Sequence, residues 1–216
     1  MGKAQLSVDE AAAMFIRVSD AMVASKDKLT QADKAAGDGD HGVSMARGFT
    51  AVREQLDVAA FPTLDALLRS VGTTLMTSVG GASGAVFGTF FRGAAPQLVD
   101  RRLFDSIALS LMLTGGLNAV KARGGAQPGD KTLIDALEPA AQTAERLAGA
   151  PLSESLLAVS EAARRGMENT KEMVARVGKA KTLGERSLGH PDPGAVSTFL
   201  ILDAMRAYVT EEEDSA

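Results

Sequence analysis

The chain places Asp33 four residues ahead of the hexapeptide Gly37-Asp38-Gly39-Asp40-His41-Gly42, which gathers three carboxylates and three glycines within ten positions. Carboxylates this close repel one another unless a cation sits between them. The ligands on offer are hard oxygens and the chain has no Cys, so the chemistry points to Mg²⁺ rather than zinc. Mg²⁺ keeps coordination positions open, and substrate phosphates fill them. Taken alone, the hexapeptide fits a solvated acidic turn equally well, because Asp and Gly are ordinary turn residues. A calcium loop is excluded: counting from Asp38, its fifth position is Gly42 and its twelfth is Phe49, so the bidentate Glu is missing. His41 reads either as a turn residue or as a phosphate donor, and the neighbouring carboxylates are expected to favour its protonated form.

Three further stretches are unlike ordinary linkers: Ser78-Val79-Gly80-Gly81-Ala82-Ser83-Gly84, the run from Gly124 to Thr132, and the run from Leu183 to Gly194. Each reads as a Gly-rich turn opening a helix, where free backbone N–H groups and the helix dipole favour anions. The Gly124–Thr132 run is not a P-loop, because Asp130 stands where the pattern needs Lys. Asp130 is expected to N-cap the next helix, Lys179 to cap the end of the one before the fourth loop, and Asp192 to act as an N-cap. His190, between Gly and Pro, is as compatible with a loop role as with a chemical one.

The elements that must hold these loops are helical nearly throughout. Ser7-Val8-Asp9-Glu10 forms a capping box for helix 1, whose stripe is Ala11, Phe15, Val18 and Met22. Helix 2 follows the acidic motif with Met45, Phe49, Val52 and Leu56. Helix 3 opens at Pro62-Thr63 with Leu64, Leu67, Leu68, Val71 and Leu75. Helix 4, about Ser83–Ala94, carries Gly84, Gly88 and Gly93 for close approach. Helix 5 takes in Leu103, Phe104, Ile107, Leu111 and Met112. Helix 6 spans about Thr132–Leu147, with a kink expected at Pro139. Helix 7 continues from Leu156 to Val174. Asp192-Pro193 opens helix 8, with Val196, Phe199, Leu200 and Ala204 facing inward. No sustained period-two alternation is present, so the fold class is all-α with about eight helices. In a closed up-and-down bundle, alternate connections share an end, and the four unusual loops are the connections 1–2, 3–4, 5–6 and 7–8. They therefore fall at one end and build a phosphate and metal site there.

Composition sets the outer bounds. The 216 residues carry 45% hydrophobic and 23% charged side chains and a net charge of −4, the balance of a soluble globular chain without the basic stripe of a nucleic-acid binder. The absence of Cys excludes a disulfide scaffold. No apolar stretch suits a signal peptide or a membrane span. One domain over residues 1–210 is expected, with an acidic frayed tail at 211–216.

With these motifs in view, the chain resembles the L (nucleotide-binding) subunit of dihydroxyacetone kinase over almost its whole length, and is similar to the C-terminal nucleotide domain of the ATP-dependent single-chain versions. Asp33, Gly37–Gly42, Gly80–Gly84, Pro128–Thr132 and Leu183–Gly194 carry the match. The resemblance implies an eight-helix up-and-down barrel with ADP or ATP at one end. It also implies two Mg²⁺ ions on Asp33, Asp38 and Asp40, with His41, Gly42, Val43, Ser44, Ala82 and Ser83 against the phosphates. Gly124, Leu133, Lys179, Asp192, Pro193 and Gly194 would complete the nucleotide pocket. It implies a cytoplasmic half-enzyme of glycerol metabolism, a phosphotransferase active with a K subunit that holds the ketose covalently. No catalytic group beyond the metal–phosphate site is expected here. A phosphotransferase-system protein could recharge bound ADP, or ATP could exchange. Ser44, Ala85 and Lys179 depart from an expected Asn, Pro and Arg, which bears on donor and acceptor identity but removes no metal ligand. A ketose such as erythrulose as acceptor, a non-catalytic nucleotide sensor and a metal-dependent hydrolase are the competing readings.

Overall fold

In the computed structural model the described residues are 2–35 and 37–211. Their α-helices are α1 (Val8–Ala24), α2 (Lys26–Lys34), α3 (His41–Val58), α4 (Leu64–Ser78), α5 (Gly81–Ala94), α6 (Ser106–Gly124), α7 (Ile134–Arg146), α8 (Leu152–Asn169) and α9 (Pro193–Thr210). Two short strands, β1 (Leu6–Ser7) and β2 (Leu103–Phe104), pair antiparallel. The eight long helices pack in sequence order, α1 on α3, then α3 through α9, and α9 returns to α1. That closed ring is the expected eight-helix barrel. The short α2 is an addition, breaking from α1 at Ser25 and packing on α3 and α9.

The local signals that define these helices are physical. Ser7 Oγ accepts from the Glu10 N–H, and the Glu10 carboxylate accepts from the Ser7 N–H, so the capping box satisfies two orphan donors of α1. The stripes expected on helices 1, 2 and 3 are all buried in one core. Gly88 and Gly93 of α5 serve helix contact as expected, a Cβ lying 2.1 Å from Met76 Cγ at the first and 2.1 Å from Ala119 Cβ at the second, whereas Gly84 packs on the turn entering its own helix, 2.1 Å from Val79 O. α7 runs on through Pro139, whose missing N–H releases the Asp135 carbonyl. Gly166 of α8 packs there, with 2.2 Å between that oxygen and a Cβ built at 166.

Several boundaries differ from expectation. Leu103 and Phe104 form β2 rather than helix, because Asp105 caps α6 by accepting from the Ala108 N–H, and Leu103 and Ile107 are exposed. α8 stops at Asn169, where Thr170–Glu172 turns into a 3₁₀ segment, so Val174 lies outside the helix. In α9, Phe199 and Leu200 are only half-buried, while Ile201, Leu202, Met205 and Val209 fill the core. Glu211 pairs with Arg17 at 2.8 Å, and the rest of the acidic tail, 212–216, lies outside the described residues. No helix of the described residues is long and apolar enough to cross a membrane.

Candidate metal and phosphate site

Up-and-down closure brings the starts of α3, α5, α7 and α9 to one end of the barrel. Four helix N-termini there turn the positive ends of their dipoles toward a shared space. A cleft of about 200 Å³ opens among them. Asp33, His41, Ala82, Ser83, Leu133, Lys179, Asp192, Pro193 and Gly194 all line it. Residues from four connections distant in sequence thus meet in one place.

Asp33, Asp38 and Asp40 offer carboxylate oxygens within 4.8 Å of one another. Asp33 comes from the end of α2 and is buried, and its Oδ2 accepts from the His41 N–H at 3.1 Å. That bond ties α2 to the first turn of α3. Asp38 and Asp40 are exposed on the turn between the two helices. Their charge is met from across the cleft by the Lys179 ammonium, 2.6 Å from Asp38 Oδ2 and 3.9 Å from Asp40 Oδ2. The hydrogen bond holds the Asp38 carboxyl below its ordinary value and the Lys179 ammonium above its own. Lys179 therefore faces the carboxylates and does not cap α8. The donor set fits Mg²⁺, with oxygen ligands only, one carboxylate anchored and two on an open turn that leaves room for further oxygens.

His41 is a strut. Its Nδ1 lies 2.8 Å from Ser83 Oγ at the start of α5, and its Nε2 lies 2.8 Å from Ser197 Oγ on α9. Burial pushes its pKa below the ordinary value, outweighing the pull of Asp33 and Asp40. The expectation of a protonated His41 is thereby corrected: at 6% exposure, desolvation outweighs the carboxylates. The next residue, Gly42, is a packing point, since a Cβ there would lie 2.2 Å from Lys26 O and 2.3 Å from Thr30 Oγ1. Val43 is exposed, and Ser44 is half-buried, donating its N–H to Asp40 O at 3.0 Å. Gly124 closes α6, ahead of Gly125 in the left-handed region at φ +67°. Asp38, Asp40, Gly42, Val43, Ser44 and Gly124 are not among the residues lining the cleft.

The remaining wall holds residues to which sequence reasoning gave no role. Lys131, Thr132, Val177 and Gly178 line the cleft. Asp130 does not cap α7. It closes its own turn by accepting from the Gln127 N–H, and Asp135 reaches back from α7 to accept from Gly129 N–H at 2.6 Å and Thr132 N–H at 2.7 Å. The signal for Asp135 was present: an acid in the first turn of a helix behind a Gly-rich run. Asp192 caps α9 as expected, accepting from the Ala195 N–H at 2.8 Å. Burial, reinforced by Asp135, pushes its carboxyl up to about 7 against the pull of Ala195 N–H and Lys131.

Clustered carboxylates beside four helix N-termini on the rim of an all-α barrel have the chemistry that suits a metal-chelated phosphate. The DAK2 domain family matches residues 35–207, and the chain belongs to that family. It is 39% identical over 193 residues to the ADP-binding subunit DhaL of a PEP-dependent dihydroxyacetone kinase from Escherichia coli, covering 88% of this chain and 91% of that one. It is 30% identical over 204 residues to the ADP-binding subunit DhaL of a PTS-dependent dihydroxyacetone kinase from Lactococcus lactis, covering 93% and 97%. Among solved structures it is similar to the dihydroxyacetone kinase from C. freundii in complex with AMP-PNP and Mg²⁺, at a TM-score of 0.73 and 28% identity, covering 90% of this chain. The chain spans only 33% of that longer protein.

Proposed function

We propose that this chain is the nucleotide-binding, phosphoryl-donating subunit of a dihydroxyacetone kinase, a phosphotransferase with an alcohol acceptor. The single observation that carries this reading is the cluster of three carboxylates, faced by Lys179, beside a cleft that Asp33 lines together with residues from the starts of α3, α5, α7 and α9. It is supported by end-to-end similarity to subunits named as ADP-binding parts of such kinases, and by likeness to a kinase solved with a nucleotide analogue and Mg²⁺. Asp33, Asp38 and Asp40 would hold Mg²⁺, two ions in our reading, which supplies charge neutralisation to the phosphates. The N-terminal turns of α3 and α5, with Gly42, Val43, Ser44, Ala82 and Ser83, would receive the phosphate oxygens. Leu133 and Pro193 offer an apolar surface for the base, with Gly124, Asp192 and Gly194 completing the pocket. This division suits phosphoryl transfer, where positioning and charge do most of the catalysis.

The described residues are taken up by the barrel and this one rim, which supports one domain over 1–210 and an acceptor held elsewhere. The ketose is expected on a separate K subunit that docks on the metal end, in the cytoplasm. The names of the relatives favour recharging of bound ADP by a phosphoryl-carrier protein. The relatives matched over nearly their whole length are named for dihydroxyacetone, whereas two named as L-erythrulose kinases are longer proteins of which the chain spans 32% and 35%, so erythrulose as acceptor and a non-catalytic sensor are not favoured. The test is reconstitution with a K subunit, a phosphoryl donor, Mg²⁺ and dihydroxyacetone. Dihydroxyacetone phosphate should form only when all are present. Tight nucleotide binding without turnover would overturn the reading, as would steady phosphate release by the chain alone.

A further inference from the structure

The connection from α8 to α9 leaves the barrel at Thr170 and returns at Asp192. Its outer part brings Gly178 and Lys179 to the cleft, where Lys179 reaches the acidic turn. Its two ends are tied at one point by a residue from a different connection. Lys131 is 2% exposed, and its Nζ donates to Thr170 O at 2.5 Å and to His190 O at 2.7 Å. Beside that pin, Thr170 Oγ1 accepts from the Asp192 N–H at 2.9 Å, and the Gly189 N–H donates to Lys171 O at 2.8 Å. Residues 171–189 thus form a loop with a closed root and a working tip.

Burying an ammonium is costly unless it is hydrogen-bonded and its charge balanced. Here the two carbonyls supply the bonds, and Asp192 and Asp135 attract the charge. The backbone of Lys131 also stands at φ +61°, a region a residue with a long side chain rarely adopts. A buried charge on a strained backbone is unfavourable locally, so its value lies in what the side chain reaches. We propose that Lys131 is a positioning residue of the nucleotide site: it clamps the root of loop 171–189 and thereby sets where Lys179 meets the carboxylates and phosphates. The inference rests on the nucleotide reading above. With the root open, the cost of ordering the loop falls on ligand binding, and affinity drops.

The test uses the full chain and the variants Lys131→Met, Lys179→Met and the double variant, with two readouts. Amide hydrogen exchange without nucleotide should speed up across residues 173–187 in Lys131→Met, while α1 and α4 stay protected. Affinity for Mg·ADP by calorimetry should fall about tenfold in each single variant. The double variant should lose little beyond the weaker single, because Lys131 acts through Lys179. A purely structural residue would give additive losses, and additive losses or unchanged exchange in 173–187 would overturn the proposal. Should Lys131→Met fail to fold, Lys131→Gln keeps one donor group for one of the carbonyls and is read in the same way. A wild-type chain that fails to bind Mg·ADP would overturn the nucleotide reading, while the exchange measurement would still decide on the clamp.

Discussion

The two ends of the barrel are closed by different chemistry. At the end away from the cleft, the segments are joined chiefly main chain to main chain, with the Gly149 N–H on Ser106 Oγ an exception. Lys3 N–H donates to Val209 O at 2.9 Å, Leu152 N–H to Ala4 O at 3.0 Å and Leu64 N–H to Arg101 O at 2.9 Å, and Leu6 pairs with Phe104 across β1 and β2. At the cleft end, side chains hold the loops: His41 between Ser83 and Ser197, Asp33 on the His41 N–H, Asp135 on two amides, Lys131 on two carbonyls and Lys179 on Asp38. Main-chain ties are indifferent to side-chain identity and use up the polar groups they join. Side-chain ties let charges be placed around the cleft by choice of residue. One end is therefore a structural closure and the other a binding surface.

Substitutions can break or sharpen this contrast. The largest effect is expected at the cleft end from Asp38→Asn, which should abolish Mg²⁺-dependent retention of ADP on dialysis while leaving the helical circular dichroism signal unchanged. Retention equal to wild type would remove Asp38 from the ligand set. Next is Gly42→Ala, whose Cβ would lie 2.2 Å from Lys26 O. It should cost about 1–3 kcal/mol in urea unfolding by overpacking, and weaken Mg·ADP binding because α2 carries Asp33. Loss of stability without loss of binding would show that α2 does not position the metal ligand.

A pH experiment probes the cleft end more gently. The folded state holds the Asp192 proton up to about 7, against an ordinary carboxyl value of 3.8. The folded state then binds more protons than the unfolded chain over that window. The contribution of this group is full below 3.8, falls as pH rises toward 7, and is level above it. Asp192→Asn keeps an oxygen acceptor for the Ala195 N–H and should flatten that part of the stability profile in urea titrations. An unchanged slope would place the titration elsewhere. The smallest effect belongs to the far end: Ser7→Ala removes the capping box, costs about 1 kcal/mol and leaves Mg·ADP affinity unaltered. A change in affinity there would mean that the two ends are coupled.

Much of this was legible in the chain before any coordinates. The stripe Leu64, Leu67, Leu68, Val71 and Leu75 is buried throughout. The Ser7–Glu10 box and the Asp192 cap are formed as read, and the even spacing of four Gly-rich loops foretold that they share an end. Less legible were features decided by competition. Asp105 won the start of α6 and released Leu103 and Phe104 to a strand pair. Lys26–Lys34 became a separate short helix whose sequence is mostly polar, with Leu29 its one large apolar residue, and its role is to carry Asp33. The state of His41 was misread because flanking carboxylates are visible in sequence, whereas its burial between Ser83 and Ser197 is not.

The sequence by itself determined the eight long helices, most of their apolar faces and an oxygen-only set of candidate metal ligands, because periodicity, capping and ligand hardness are local properties read within a few residues. Only the tertiary structure decided that Lys179 faces Asp38 across 141 positions, and that Lys131 reaches Thr170 and His190 across 39 and 59. Those contacts depend on ring closure of the barrel, and no local pattern encodes where a long side chain ends once the helices have packed.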